Sequence, residues 1–172
     1  MPDLDAIAES IRADFVARNA ARDAAIAGSR ELIRYCAEAI RAVHRREWGA
    51  AEQKLAVVDT AAAALKAGVA AYPDLYHSGY TQDALKEVVE AHATYAIVRG
   101  MELPTPDSLQ VQGSTYLNGL AEAATELRRF ILDILRREEA ATETGAPTAV
   151  AEAERLLNWM DTIYDRLVTF DF

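Results

Sequence analysis

Apolar residues recur at intervals of three and four along most of the chain, and no long stretch alternates between apolar and polar positions. Intervals of three and four are typical of an amphipathic helix, whereas alternation would indicate a strand. The pattern therefore predicts five long helices. They span about residues 3–46, 50–70, 80–99, 110 or 114–139, and 148–169.

Helix-breaking residues support these boundaries. Pro73 ends the second helix, because the residue before a proline disfavours helical geometry, and Gly100 is placed to close the third. Thr81 is a candidate cap for the third helix, and Pro147 stands near the expected start of the last one. Short connections between long helices predict an all-α fold, an antiparallel helical bundle of about five to six long helices.

Composition narrows the class of protein. A length of 172 residues suits a single domain, 1–172, with a core of its own. The lone Cys36 excludes an internal disulfide and a cysteine-only zinc site. We find no signal peptide and no apolar run of about 18 residues, so we expect a cytoplasmic protein without a membrane partner. The net charge of −9 argues against a general nucleic-acid coat, although it does not describe any one groove.

Four glutamates are the strongest candidates for chemistry. Glu87 and Glu90 are three residues apart on the third predicted helix, and Glu122 and Glu126 are four apart on the fourth. Either spacing puts both carboxylates on one side of a helix. If the two helices face each other, the four carboxylates need cations to stay ionised, and Mg²⁺ or Mn²⁺ would suit them. Such a site is typical of metal-assisted phosphodiester cleavage.

A second interpretation of these glutamates stays open. On the fourth helix Glu122 and Glu126 fall nearly opposite the predicted apolar stripe, and charged residues in that position are usually only solvated. That stripe comprises Leu117, Leu120, Ala124, Leu127, Ile131 and Ile134. The stripe of the third helix comprises Leu85, Val89, His92 and Ala96, so Glu87 and Glu90 lie away from it and His92 is expected in the core. Gly119, which costs about 1 kcal/mol in mid-helix, would let another backbone or a nucleic-acid strand approach this polar face.

Three stretches resemble the translin family, in particular its translin-associated factor X branch. They are Ser29-Arg30-Glu31-Leu32-Ile33-Arg34 continuing to Ile40, His44 and Arg45; Leu85-Lys86-Glu87-Val88-Val89-Glu90-Ala91; and Tyr116-Leu117-Asn118-Gly119-Leu120-Ala121-Glu122 continuing to Thr125-Glu126-Leu127. Glu122 stands where the family has an aspartate, and Thr125 where it has a glycine. The family's last helix has no counterpart before Phe172.

The resemblance implies a hollow translin-like homo-oligomer of about six to eight subunits, with RNA inside. Glu87, Glu90, Glu122 and Glu126 would then be the catalytic residues and the ligands of Mg²⁺ or Mn²⁺. The implied activity is a metal-dependent endoribonuclease acting on single-stranded or small RNA. The alternative is a non-catalytic oligomeric scaffold that binds single-stranded RNA or DNA. No histidine lies beside the acids by sequence spacing.

Basic and aromatic residues are candidates for gripping nucleic acid. The candidates are Arg129 on the acidic face, Arg41, His44, Arg45 and Arg46 at the end of the first helix, and Tyr76 and His77 before the third helix. Stacking on bases would suit the last two. The basic cluster has a second interpretation, since positive charge also stabilises a helix C-terminus, and the aromatic pair would equally serve as loop packing.

Overall fold

A computed structural model of the chain describes residues 3–140 and 146–170. Within these two ranges the chain forms seven helices and no strand. They are α1 (Leu4–His44), α2 (Trp48–Val69), α3 (Pro73–Tyr76), α4 (Gly79–Arg99), α5 (Pro106–Leu109), α6 (Gly113–Ala140) and α7 (Ala146–Leu167). The all-α prediction is confirmed. The five long helices match the predicted ones, whereas α3 and α5 are single turns that periodicity cannot reveal.

Helix ends follow local chemistry. The Asp3 carboxylate caps α1 by accepting from the backbone N–H groups of Asp5 and Ala6. Gly100 closes α4 with a φ of 68°, as predicted, because glycine adopts the left-handed conformation at little cost. The expected cap at Thr81 is wrong: Ser78 is the N-cap, and the buried Thr81 hydroxyl donates to the Leu75 carbonyl at 2.8 Å.

Helix α4 is the centre of the bundle. It packs against α1 and α2 on one side and against α6 on the other, and α6 in turn packs against α7. Almost every residue from Val88 to Val98 is buried, so α4 lacks the polar face that a surface helix would have. The exception is His92, which we expected in the core. Its side chain lies at the core's edge, 18% exposed, and its Nε2 is 2.8 Å from Asp59 Oδ1.

The buried face of α6 differs from the predicted stripe. Leu127 and Ile134 are buried as expected, but Leu117, Leu120, Ala124 and Ile131 are only partly buried. Among residues 113–136 of α6, the buried positions are Thr115, Gly119, Ala123, Leu127, Phe130 and Ile134. The face is turned because a glycine lies against α4 and Ala123, one turn later, is also buried. A Cβ on Gly119 would be 2.5 Å from Val89 Cβ and 2.7 Å from the Lys86 carbonyl oxygen. Gly119 therefore admits the α4 backbone.

The first four to five turns of α1 are exposed to solvent on all sides. Residues 3–20 are all exposed, and the Arg18–Asp74 ion pair at 2.5 Å connects their end to α3. Several large apolar side chains of this segment face solvent. They are Leu4, Ile7, Ile11, Phe15 and Val16. Within the described ranges, no helix has the length and apolarity that crossing a bilayer requires.

Candidate metal and nucleic-acid site

Three of the four glutamates come together beside the crossing of α4 and α6. Glu87, Glu90 and Glu122 each offer a carboxylate oxygen, and these oxygens lie within 4.8 Å of one another. We call these three residues the carboxylate cluster. Glu90 is buried, with 7% of its surface exposed, whereas Glu87 and Glu122 are partly exposed. The cluster thus has a buried floor and an accessible rim, and its oxygen donors are those that Mg²⁺ and Mn²⁺ prefer.

Burial and neighbouring carboxylates perturb the titration of Glu90. Burial raises its pKa first, and the nearby Glu87, Glu122 and Glu126 carboxylates raise it further, to about 8. A carboxyl group with such a pKa holds a proton near neutral pH unless a cation replaces it. The expectation that the acids lie on a merely solvated face is therefore wrong for Glu90. It fails because α4 is buried on nearly all sides between Val88 and Val98, so that Glu90 is covered although it lies off the main stripe.

A lysine lies among the acids. Lys86 Nζ donates to Glu122 Oε1 at 2.6 Å and lies 3.4 Å from Glu87 Oε1. Burial lowers the pKa of Lys86, but hydrogen bonds and charge attraction from Glu122 and Glu87 outweigh it, so the pKa is raised. Lys86 was not among the site residues expected from the sequence. Its place beside Glu87 in the chain was a weak signal, because adjacent residues on a helix point in different directions.

The fourth acid, Glu126, contacts a histidine rather than the cluster. Its Oε2 is 2.5 Å from His44 Nε2, and since an ionised carboxylate only accepts, the Nε2–H donates. His44, which we had placed among the phosphate-gripping residues, is 8% exposed and packs its ring 5.6 Å from that of Phe130. The His44 bond, with a contribution from Arg129, lowers the pKa of Glu126 against the opposing effect of burial.

This contact corrects the expectation that no histidine lies beside the acids. His44 is 82 residues from Glu126 in the chain and reaches it only because α1 ends beside α6. The other ring nitrogen, Nδ1, is buried without a hydrogen bond and lies 3.9 Å from Asp133 Oδ2. Helix α1 also brings Cys36 near the cluster. Burial, followed by the Glu87 and Glu90 charges, raises the pKa of that thiol far above its usual range, so it stays protonated.

The basic candidates occupy different environments. Arg129 is exposed, with its Nη1 4.0 Å from Glu126 Oε2, so it borders the acids as expected. Arg46 is bound to Glu152 at 2.7 Å and stacks its guanidinium 5.1 Å from the Phe130 ring. Arg41 and Arg45 line a shallow surface cavity of about 260 Å³ together with Glu38, Glu47 and Lys54. The cavity carries charges of both signs. This favours the interpretation that Arg41 and Arg45 stabilise the C-terminus of α1.

The two aromatic residues before α4 pack against each other. The rings of Tyr76 and His77 meet edge to face at 5.0 Å. Tyr76 is partly buried against the core, whereas His77 is exposed, with its Nδ1 3.2 Å from Gln112 Nε2. Only His77 presents its ring to solvent, so loop packing accounts for Tyr76.

Solved structures share this arrangement of helices. AfC3PO aligns with a TM-score of 0.78 and 29% identity, covering 94% of this chain and 78% of its own. This likeness supports assignment of the chain to the translin family. AfC3PO in complex with duplex RNA aligns with a TM-score of 0.73 and 29% identity, covering 95% of this chain and 80% of its own. NeC3PO shares the fold, with a TM-score of 0.63. It is 17% identical, and the alignment covers 98% of this chain and 97% of NeC3PO.

Sequence comparison finds one relative of this chain. An uncharacterised protein of Methanocaldococcus jannaschii is 27% identical over 157 residues, which is 90% of this chain. The chain spans 65% of that relative's length. No protein-family model matches the chain. Within the translin-type fold, the two motif segments on α4 and α6 that carry the resemblance face each other at Gly119.

Proposed function

We propose that this protein is a Mg²⁺- or Mn²⁺-dependent endoribonuclease acting on single-stranded or small RNA. The observation that carries the proposal is the carboxylate cluster, in which three acids from two helices converge on one point. The likeness to AfC3PO, whose complex holds duplex RNA, supports RNA as the substrate.

The cluster suits a divalent ion on electrostatic grounds. Burial raises the pKa of Glu90, and the charges of Glu87, Glu122 and Glu126 raise it further, to about 8. A cation that replaces its proton relieves this repulsion. Glu87, Glu90 and Glu122 would hold the ion, which supplies charge neutralisation at the phosphate and a more acidic bound water.

Glu126 is suited to accept a proton. Its lowered pKa keeps it ionised at neutral pH, and the His44 N–H fixes one of its oxygens. A carboxylate held in this way can act as a general base when its other oxygen faces the reacting water. We therefore assign Glu126 the role of proton acceptor and leave the ion to the other three acids. His44 positions Glu126 and does not itself touch RNA, since it is buried.

Arginine and oligomer contacts complete the proposal. Arg129 lies beside Glu126 with 62% of its side chain exposed, so its guanidinium can reach a phosphate next to the cluster. Large apolar side chains are exposed along the first turns of α1 and along α7, which is consistent with burial between copies of the chain. A homo-oligomer would enclose the cluster and restrict access to flexible or short RNA.

A non-catalytic scaffold that binds single-stranded RNA or DNA is the second candidate. The Lys86–Glu122 ion pair favours it, because an ammonium already offsets part of the negative charge without a metal. This candidate predicts RNA binding that is insensitive to Mg²⁺ and to neutral substitutions in the carboxylate cluster.

Cleavage of end-labelled RNA separates the two candidates. Single-stranded and duplex oligonucleotides are incubated with the protein in Mg²⁺, in Mn²⁺ and in EDTA. We expect internal cleavage only with metal, and its loss in Glu90→Gln and in the Glu122→Ala, Glu126→Ala double variant. Glu102→Gln, at an exposed glutamate, serves as the matched control and should cleave normally. Binding without cleavage in every metal condition would refute the nuclease and support the scaffold.

A further inference from the structure

Lys86 occupies a position in the carboxylate cluster that a metal ion would also use. Its Nζ is 2.6 Å from Glu122 Oε1 and 3.4 Å from Glu87 Oε1, and only 21% of its side chain is exposed. Two of the three cluster acids are therefore already bound to a cation that belongs to the chain. The third, Glu90, has no such contact with Lys86 among the ion pairs of the described residues.

The ammonium offsets only part of the cluster's negative charge. One positive charge faces three carboxylates, and Glu126 adds its own effect on Glu90. The cluster thus still attracts a cation, although one oxygen of Glu122 and one of Glu87 are paired with Lys86.

An ammonium and a divalent ion cannot share these oxygens comfortably. A Mg²⁺–oxygen bond is about 2.0–2.1 Å long, so an ion bound to Glu122 Oε1 would lie within a few ångströms of Lys86 Nζ. At that distance like charges repel strongly in a partly buried site. The four-carbon lysine stem is flexible, so Nζ can move away from the carboxylates. The hydrogen bonds that Lys86 then loses reduce the net affinity for the ion.

We propose that Lys86 competes with a divalent ion for the carboxylates of Glu122 and Glu87, and so sets the metal concentration at which the cluster fills. Lys86 leaves the two carboxylates when the ion binds and returns when the ion dissociates. This inference rests on the proposed function, because it requires the carboxylate cluster to be a metal site.

Titration of metal-free protein with Mn²⁺, followed by the electron paramagnetic resonance of the free ion, tests the competition without RNA. Lys86→Gln removes the competing charge and should bind Mn²⁺ about tenfold or more tightly than wild type. Lys86→Arg keeps the charge and should stay near wild type. Lys54→Gln is the matched control, since Lys54 is also bound to a glutamate, Glu38 at 2.9 Å, outside the cluster.

Each outcome decides a different claim. Equal or weaker Mn²⁺ affinity in folded Lys86→Gln would overturn the competition, while wild-type binding that Glu90→Gln abolishes would leave the metal site standing. If Lys86→Gln binds Mn²⁺ tightly and wild type does not, the competition is supported. If neither wild type nor Lys86→Gln binds Mn²⁺, the metal site fails and the inference fails with it. Circular dichroism checks the fold, and Lys86→Met, which keeps the aliphatic stem, replaces the glutamine variant if that one is unfolded.

Discussion

Neutralising Glu90 should stabilise the metal-free protein at alkaline pH. Glu90→Gln keeps the size and shape of the side chain and removes its charge. In the folded protein, burial and the surrounding carboxylates raise the Glu90 pKa from 4.5 to about 8. A carboxyl group with a raised pKa binds its proton more tightly in the folded state than in the unfolded state. Its stabilising contribution is therefore complete below about pH 4.5 and is lost as the pH rises towards 8.

The size of the effect follows from the pKa difference. Each pKa unit corresponds to about 1.4 kcal/mol, so full ionisation of Glu90 costs the folded protein at most about 5 kcal/mol. Relaxation of the neighbouring carboxylates and entry of water reduce this cost. We expect the free energy of unfolding of Glu90→Gln, relative to wild type, to increase by about 2 to 4 kcal/mol between pH 4.5 and pH 8, where Glu90 is half ionised in the folded protein.

Urea unfolding in EDTA, followed by circular dichroism at several pH values, measures this difference. The exposed Glu102→Gln is the control and should follow wild type at each pH. A difference between Glu90→Gln and wild type that does not change with pH would refute the reasoning. So would a variant that is less stable than wild type at pH 8, because Glu90 would then be held by favourable contacts with its neighbours.

Three further predictions concern the same region. In differential scanning fluorimetry, Mn²⁺ should raise the melting temperature of wild type but not of Glu90→Gln. The rise for wild type should be larger at pH 8 than at pH 6, because the ion displaces the Glu90 proton. An equal rise in both proteins would contradict the proposed metal site. Gly119→Ala should lose about 2 to 4 kcal/mol of stability in urea, since its Cβ would clash with α4, whereas Gly68→Ala, with nothing within 4 Å, should not be destabilised; equal effects would refute the close approach. His44→Ala should lower kcat for RNA cleavage with little change in KM, and His44→Gln, which keeps a donor, should lose less; a change in KM alone would instead indicate an RNA contact.

Helix positions could be predicted from the sequence, because they depend on local residues. Gly100 and Pro73 mark helix boundaries through their own backbone preferences, and the structure has the breaks there. The faces of the helices were harder to predict. Since α4 is covered on nearly all sides, its periodicity does not say where Glu90 points. The buried side of α6 is set by Gly119 and Ala123, whose small size shifts the packing face away from the larger apolar residues.

Contacts within the site depend on tertiary structure. Lys86 and Glu122 are 36 residues apart, and His44 and Glu126 are 82 apart. No local pattern connects the members of either pair, so Glu126 could not be separated from the other three acids without the tertiary structure. The spacing of the glutamates did indicate that acids from two helices would meet if those helices faced each other, and three of the four do so.

Anomalous diffraction from a crystal soaked in Mn²⁺ at pH 8 would show whether the carboxylate cluster binds a metal ion. We expect a peak within about 2.0–2.3 Å of carboxylate oxygens from Glu87, Glu90 and Glu122, with Lys86 moved off Glu122, and no such peak in Glu90→Gln. A map with no manganese in the carboxylate cluster, and with Lys86 still bonded to Glu122, would contradict it.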